Sequence, residues 1–142
     1  MAAGVASEKL SIEAVQHVAE FRASLRRFMR KTEKIARASG LTPQRYLLLV
    51  MIKGAPDGTG TTTVTALSDR LQLAQSTVTE LVNRAEDAGL VEREQSVRDA
   101  RIAHLRLTEE GERRLKDSFT VLEVERRELA EAVRHLDFDF TD

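Results

Sequence analysis

Between Thr63 and Thr108 the spacing of the apolar residues changes period, and that change leaves few architectures open to the chain. Val64, Leu67 and Leu71 form one stripe, which predicts a short helix over residues 64–71. After a tight turn, Val78, Leu81, Val82 and Ala85 recur at i, i+3, i+4 and i+7. That spacing predicts a second amphipathic helix over 75–88 with those four side chains buried. Gly89 stops it. Residues 90–94 then read as a strand and 102–107 as its return, with Ala103, Leu105 and Leu107 alternating against His104 and Arg106. The connection, 95–101, carries arginines at its tip. Two paired helices, a tight turn and an antiparallel ribbon describe a winged helix-turn-helix.

The outer face of the second helix indicates a use. Stepping about 100° per residue places Ser76, Thr79, Glu80 and Asn83 opposite the buried stripe, with Thr77 and Arg84 beside them. These short hydrogen-bonding groups suit base edges in a major groove. A solvated helix face is the duller reading, and the arginine-bearing ribbon tip at the right distance favours DNA over it. Thr63 and Thr65 open the first paired helix, where free N–H groups attract phosphate; their plainer role is helix capping, and both roles can coexist.

Overall charge lends no help, because the formal net charge is −1. The charge is segregated instead. Seven basic residues (Arg22, Arg26, Arg27, Arg30, Lys31, Lys34, Arg37) face Glu33 alone between Arg22 and Arg37, while eleven acids face six bases between Glu109 and Asp142. With no cysteine there is no disulfide, thiolate metal site or cysteine redox sensor. No apolar run approaches about 18 residues, and residues 1–7 form a small polar tail without a signal-peptide pattern, so a cytoplasmic protein without membrane association is expected.

Long helices flank the winged segment. Residues 11–38 carry Val18, Phe21, Leu25, Phe28 and Ile35 in steps of three and four, with Thr32 filling the gap, a seam for packing along another helix. Ser39-Gly40 ends that helix. Thr42-Pro43 opens the next, which runs through Tyr46, Leu47, Val50 and Met51 to about residue 53, and 54–62 reads as a surface loop. Thr108 caps one final helix, where Leu115, Phe119, Leu122, Leu129, Val133 and Leu136 form another seam. The expected fold is mainly α: a winged helix-turn-helix with a two-to-three-stranded antiparallel wing and long N- and C-terminal dimerisation helices. The expected segments are 1–40 (tail and dimerisation helix), 41–108 (winged lobe) and 109–142 (C-terminal dimerisation helix), intertwined as one domain.

The order of several short pieces resembles the MarR family of winged-helix transcriptional regulators across nearly the whole chain. They are Leu41-Thr42-Pro43-Gln44-Arg45-Tyr46, Leu67 to Leu73, Ser76-Thr77-Val78-Thr79, Leu81-Val82-Asn83-Arg84, Ala88-Gly89-Leu90-Val91-Glu92-Arg93, Asp99-Ala100-Arg101 and Leu107-Thr108-Glu109-Glu110-Gly111. No piece is specific alone; their order and spacing are. The resemblance implies a homodimer on double-stranded DNA, with a recognition helix in each of two major grooves and wings in the flanking minor grooves. It assigns recognition to Gln75, Ser76, Thr77, Thr79, Glu80, Asn83 and Arg84, and the wing contacts to Arg98, Asp99 and Arg101. Arg101 would be the minor-groove finger, since a narrow A·T groove concentrates negative potential, and Asp99 would hold it in place. It also implies a repressor at a pseudo-palindromic promoter, released by a small aromatic or anionic effector in a crevice for which His17, Arg45, Tyr46 and Met51 are the candidates.

The chain departs from the family pattern in three places. Gln72 stands in the inter-helix turn where many relatives have Gly, so it must accept a left-handed or otherwise awkward backbone. Ala74 is a poor cap for the recognition helix. Glu80 brings a carboxylate to the centre of the reading face, where it repels phosphate but can accept from cytosine N4, and is therefore expected to discriminate bases rather than add affinity.

Other functions find less support. His17, His104 and His135 lack ligand spacing, so no metal or cofactor is expected. The acids Glu123, Glu125, Glu128 and Glu131 interleave with Arg126 and Arg127 as a solvated face, and no nucleophile elbow or phosphate loop is present, so no catalytic residues are assigned. The alternatives are a winged-helix module that docks protein without specific DNA binding, and an enzyme or lipid-like ligand carrier built on a helical dimer.

Overall fold

The computed structural model describes residues 9–134 and Leu136. His135 and the chain beyond Leu136 lie outside the described residues. The elements run α1 (Ile12–Ala38), α2 (Pro43–Lys53), β1 (Thr61–Thr62), α3 (Val64–Leu71), α4 (Gln75–Asp87), β2 (Val91–Gln95), β3 (Ala103–Leu107), α5 (Glu109–Val121) and α6 (Glu123–Arg134). They fall into two compact units, one of Glu33–Val121 and one of Met1–Thr32 with Leu122–Asp142.

The first of these units is the winged lobe. Thr42 caps α2 through its hydroxyl, which accepts from the Arg45 N–H at 3.1 Å, and Pro43 occupies the first turn. Helix α2 buries Tyr46, Leu48, Leu49 and Ile52 and leaves Leu47 exposed. Around it pack Leu67 of α3, Val78, Val82 and Ala85 of α4, and Leu105 and Leu107 of β3. Leu81, expected inside with its neighbours, is only half-buried. It sits at the margin of the apolar stripe, where a 3.6-residue period brings a side chain to the helix flank.

The sheet is antiparallel with order β1-β3-β2. Residues Thr61 and Thr62, expected to belong to a surface loop, instead form β1 and pair with Arg106 and Leu105. Both ribbon strands begin one residue later than expected. Val91 pairs with Leu107 and Gln95 with Ala103, a register that turns Val91, Leu105 and Leu107 inward and His104 and Arg106 outward.

Where α4, β2 and α5 meet, the backbone packing is close. Gly89 adopts φ +75, a region open to glycine at no steric cost, so the Leu90 N–H folds back onto Ala85 O at 2.9 Å and ends α4. The Thr108 N–H then donates to Leu90 O at 3.0 Å, while its hydroxyl donates to Gly89 O at 2.6 Å and accepts from the Gly111 N–H at 3.0 Å. One threonine therefore caps α5 and joins it to the end of α4. A Cβ on Gly111 would lie 2.1 Å from the Leu90 carbonyl oxygen, so the fit requires glycine.

The final helix, expected to be continuous, is interrupted at Leu122. Just before the break, Ser118 Oγ donates to Arg114 O at 3.1 Å and Thr120 Oγ1 to Lys116 O at 2.9 Å. Such back-bonding competes with the helical ladder and bends helices, and β-branched Thr120 and Val121 add low helix propensity.

In the second unit, Phe21, Leu25 and Phe28 of α1 are half-buried and Val18 is 50% exposed. Lys31 of α1 pairs with Glu125 of α6 at 3.3 Å. Val124 and Val133 of α6 remain 58% and 42% exposed in the single chain.

Two outcomes test this packing. Gly111→Ala should lose about 1–3 kcal/mol in urea unfolding, because the obstacle is backbone rather than a flexible side chain; a loss within error would show that α5 yields. Glu110, held by Arg113 and Arg114, has its carboxyl pKa lowered to about 2. Its contribution is therefore complete above the ordinary value of 4.5 and disappears as pH falls toward 2. Glu110→Gln should lower Tm relative to the parent at pH 7, and the gap should close near pH 2.

Candidate nucleic-acid interface

The helix pair is set by its turn. Thr63, in extended conformation, caps α3 by accepting from the Ala66 N–H at 3.2 Å, the plainer of its two expected roles. Thr65, in the first turn of α3, is exposed. At the other end Gln72 adopts φ 54 and ψ 45, the only non-glycine positive φ among the described residues. The left-handed backbone expected from the missing glycine is therefore present, and hydrogen bonds fasten it. Leu73 N–H donates to Ser68 O at 3.2 Å, and Ser68 Oγ donates to Leu73 O at 2.6 Å. Ala74 follows as an N-cap without any side-chain bond, so the first N–H groups of α4 are left without a side-chain acceptor.

On α4, Gln75, Ser76, Thr77, Glu80, Asn83 and Arg84 are exposed, and Thr79 is half-buried. Two ion pairs organise this face. Arg84 Nη2 donates to Glu80 Oε1 at 2.5 Å across one helical turn, with both side chains 62% exposed. Arg93 of β2 donates through Nη2 to the Asn83 side-chain oxygen and pairs through Nε with Glu86 Oε2 at 3.2 Å. Glu80 is therefore not the isolated carboxylate that its position suggested. The clamp by Arg93 joins α4 to the wing, and sequence reasoning missed it because it links different elements.

The wing tip is held by its own side chains. Ser96 Oγ accepts from the N–H groups of Arg98 at 3.2 Å and Asp99 at 3.3 Å, while Ser96 N–H donates to Ile102 O at 2.9 Å. Val97 and Arg98 point into solvent. Asp99 accepts three bonds from Arg101: the backbone N–H at 3.0 Å, Nε at 3.1 Å and Nη2 at 3.2 Å. The forked guanidinium and the backbone bond together hold the Asp99 carboxyl below the usual carboxylate range. Arg101 nevertheless stays 90% exposed, so the carboxylate orients the guanidinium without covering it. Behind the tip, Arg106 of β3 bridges Glu92 at 2.7 Å and Glu94 at 3.2 Å, which raises its pKa and stiffens the ribbon. The spacing of those acids on one strand, two residues apart, is the signal that could have revealed it.

The candidate effector residues are distributed otherwise. Tyr46 is buried, Arg45 and Met51 are half-buried on α2, and half-buried His17 lies on α1 in the other unit. An open groove of about 520 Å³ in the lobe is lined by Lys53, Glu112, Arg113, Leu115, Lys116 and Phe119, and includes none of the four. His104 is exposed on β3. Among the described residues no three His, Cys, Asp or Glu side chains gather as a metal site, and no helix is long and apolar enough to cross a membrane.

Comparison with known proteins fits this geometry. Residues 39–102 match the family model described as the MarR family. The HTH-type transcriptional regulator YsmB of Bacillus subtilis (strain 168) is 31% identical over 110 residues, spanning 75% of this chain and 73% of its own length. AbsC, a MarR family transcriptional regulator from Streptomyces coelicolor, superimposes with a TM-score of 0.68 at 22% identity, covering 88% of this chain and 84% of AbsC. A variant of MepR from S. aureus, solved bound to an oligodeoxyribonucleotide, gives a TM-score of 0.63 at 20% identity, covering 78% of this chain and 79% of MepR. With its paired helices, anchored wing arginine and flanking helices, the chain belongs to the MarR family of winged-helix transcriptional regulators.

Proposed function

We propose that the protein is a homodimeric, sequence-specific DNA-binding repressor that covers a pseudo-palindromic promoter site. The observation that carries this reading is Arg101, projected from the wing tip and oriented by Asp99 on three hydrogen bonds while its side chain stays 90% exposed. A guanidinium held this way suits a narrow minor groove, where negative potential is concentrated. Helix α4 then lies in the adjacent major groove, offering Gln75, Ser76, Thr77, Thr79, Glu80, Asn83 and Arg84 to base edges or phosphates. Its first N–H groups, which no side chain caps, are suited to phosphate, and Thr65 and Arg98 flank the same duplex. The oligonucleotide bound to the MepR variant supports the assignment by analogy of fold.

Dimerisation is supported by the apolar residues that a single chain leaves in water. Leu10, Ile12, Val15 and Val18 at the start of the chain and Val124 and Val133 on α6 are all at least 42% exposed. A second copy covering them would recover about 25 cal/mol per Å² of apolar surface. Twofold symmetry sets the half-sites about one helical turn apart. A small effector would lower affinity by favouring a spacing of the two α4 helices that DNA does not match.

Fluorescence anisotropy on DNA from upstream of the protein's own gene tests the reading. Binding should resist random competitor DNA, and log K should fall linearly with log salt, by about 0.9 per phosphate contact. Arg101→Ala should weaken binding by roughly tenfold or more. Asp99→Asn should weaken it less, since the guanidinium survives but loses its orientation. Light scattering should give twice the chain mass. Equal affinity for random and upstream DNA at every salt concentration would leave an operator elsewhere or the protein-docking module, and would make the docking module the leading reading.

A further inference from the structure

The pairing of Glu80 with Arg84 changes what this face can recognise. The two side chains are one helical turn apart, joined Nη2 to Oε1 at 2.5 Å, and each is 62% exposed. The bond uses one carboxylate oxygen and one guanidinium hydrogen. Glu80 Oε2 makes no hydrogen bond among the described residues, and Arg84 retains Nη1, Nε and the second Nη2 hydrogen. The remaining guanidinium donors and one free carboxylate oxygen are therefore presented side by side on the exposed face of α4. The other acid of α4 held by an arginine, Glu86, is occupied by Arg93, which also engages the Asn83 oxygen.

A G·C pair shows the matching pattern in the major groove: acceptor at guanine N7, acceptor at guanine O6, donor at cytosine N4. We propose that Glu80 and Arg84 act as one unit that reads a single C·G base pair in each half-site, Arg84 donating to guanine N7 and O6 and Glu80 accepting from cytosine N4. The proposal rests on the DNA-binding reading above and names its specificity. The same geometry rejects the other pairs. In T·A, adenine N6 sets a donor against the arginine, and thymine O4 sets an acceptor against the carboxylate. Reversing the pair to G·C also exchanges donor and acceptor positions. Arg84 cancels the charge of Glu80, so the carboxylate enters the groove without net repulsion from the phosphates.

The duller account is a solvated helical ion pair, worth about as little as most exposed pairs. The two accounts separate on DNA. Duplexes bound by the intact protein are first selected from a randomised library, and the best site is then titrated with each base pair replaced in turn. The unit predicts one C·G pair fixed per half-site, with its replacement by T·A weakening binding about tenfold to a hundredfold. Glu80→Ala should reduce the preference for C·G over T·A, and Glu80→Ala combined with Arg84→Ala should bring the two duplexes to within about twofold of one another, while other positions keep their preferences. Replacing that guanine with 7-deazaguanine, which lacks the N7 acceptor, should weaken the parent protein but not Arg84→Ala. Both side chains are exposed, so the variants fold. A selected site without a fixed C·G pair, or an unchanged preference in Glu80→Ala, overturns the proposal and leaves the DNA-binding reading standing. A library that shows no enrichment overturns both.

Discussion

The carbonyl of Leu90 accepts from the Thr108 N–H at 3.0 Å and stands where a side chain on Gly111 would be. The end of α4, the roots of both wing strands and the start of α5 meet at that junction. Gly89 ends α4 in a left-handed turn, Leu90 and Val91 enter the core as β2 begins, and Thr108 fastens the end of β3 and the start of α5 onto the same backbone. Wing strands held at their root keep their register, because a one-residue slip would expel Val91, Leu105 and Leu107 together. The Arg93 clamp onto Asn83 and Glu86 then fixes the ribbon against α4 a second time, nearer the tip. The spacing between wing and α4 is thus set by close backbone contacts at the root of the wing and tuned by exposed ion pairs.

Local chemistry accounts for what was legible in the sequence. The Thr42 cap, the ends of α3, the left-handed Gln72, the uncapped Ala74 and the Asp99–Arg101 fork each depend on residues a few positions apart. Non-local pairing was harder to see. Strand β1 consists of two residues whose partners lie more than forty positions later, so no alternation announces it. The Arg93–Asn83 contact joins a strand to a helix and leaves no periodic trace. The break at Leu122 depends on side-chain back-bonding that a seam of apolar residues does not encode. The Glu80–Arg84 pair is different: its i,i+4 spacing is plain in the sequence, yet the same spacing also fits two separately solvated side chains, and only the geometry joins them.

Charge is arranged by pairing rather than by excess. Across α4 and the wing, Glu80 is met by Arg84, Glu86 by Arg93, Glu92 and Glu94 by Arg106, and Asp99 by Arg101. A whole-chain charge of −1 is therefore a poor guide to what this surface attracts. Screening acts chiefly on long-range fields, whereas a guanidinium aimed by a carboxylate acts through short hydrogen bonds. On the proposed reading, such a surface gives up some non-specific attraction for phosphate. What it retains is direction: donors and acceptors whose positions are fixed before any partner arrives. A reader built this way loses less on wrong sequences than a cationic patch does, because it holds them less tightly at the outset.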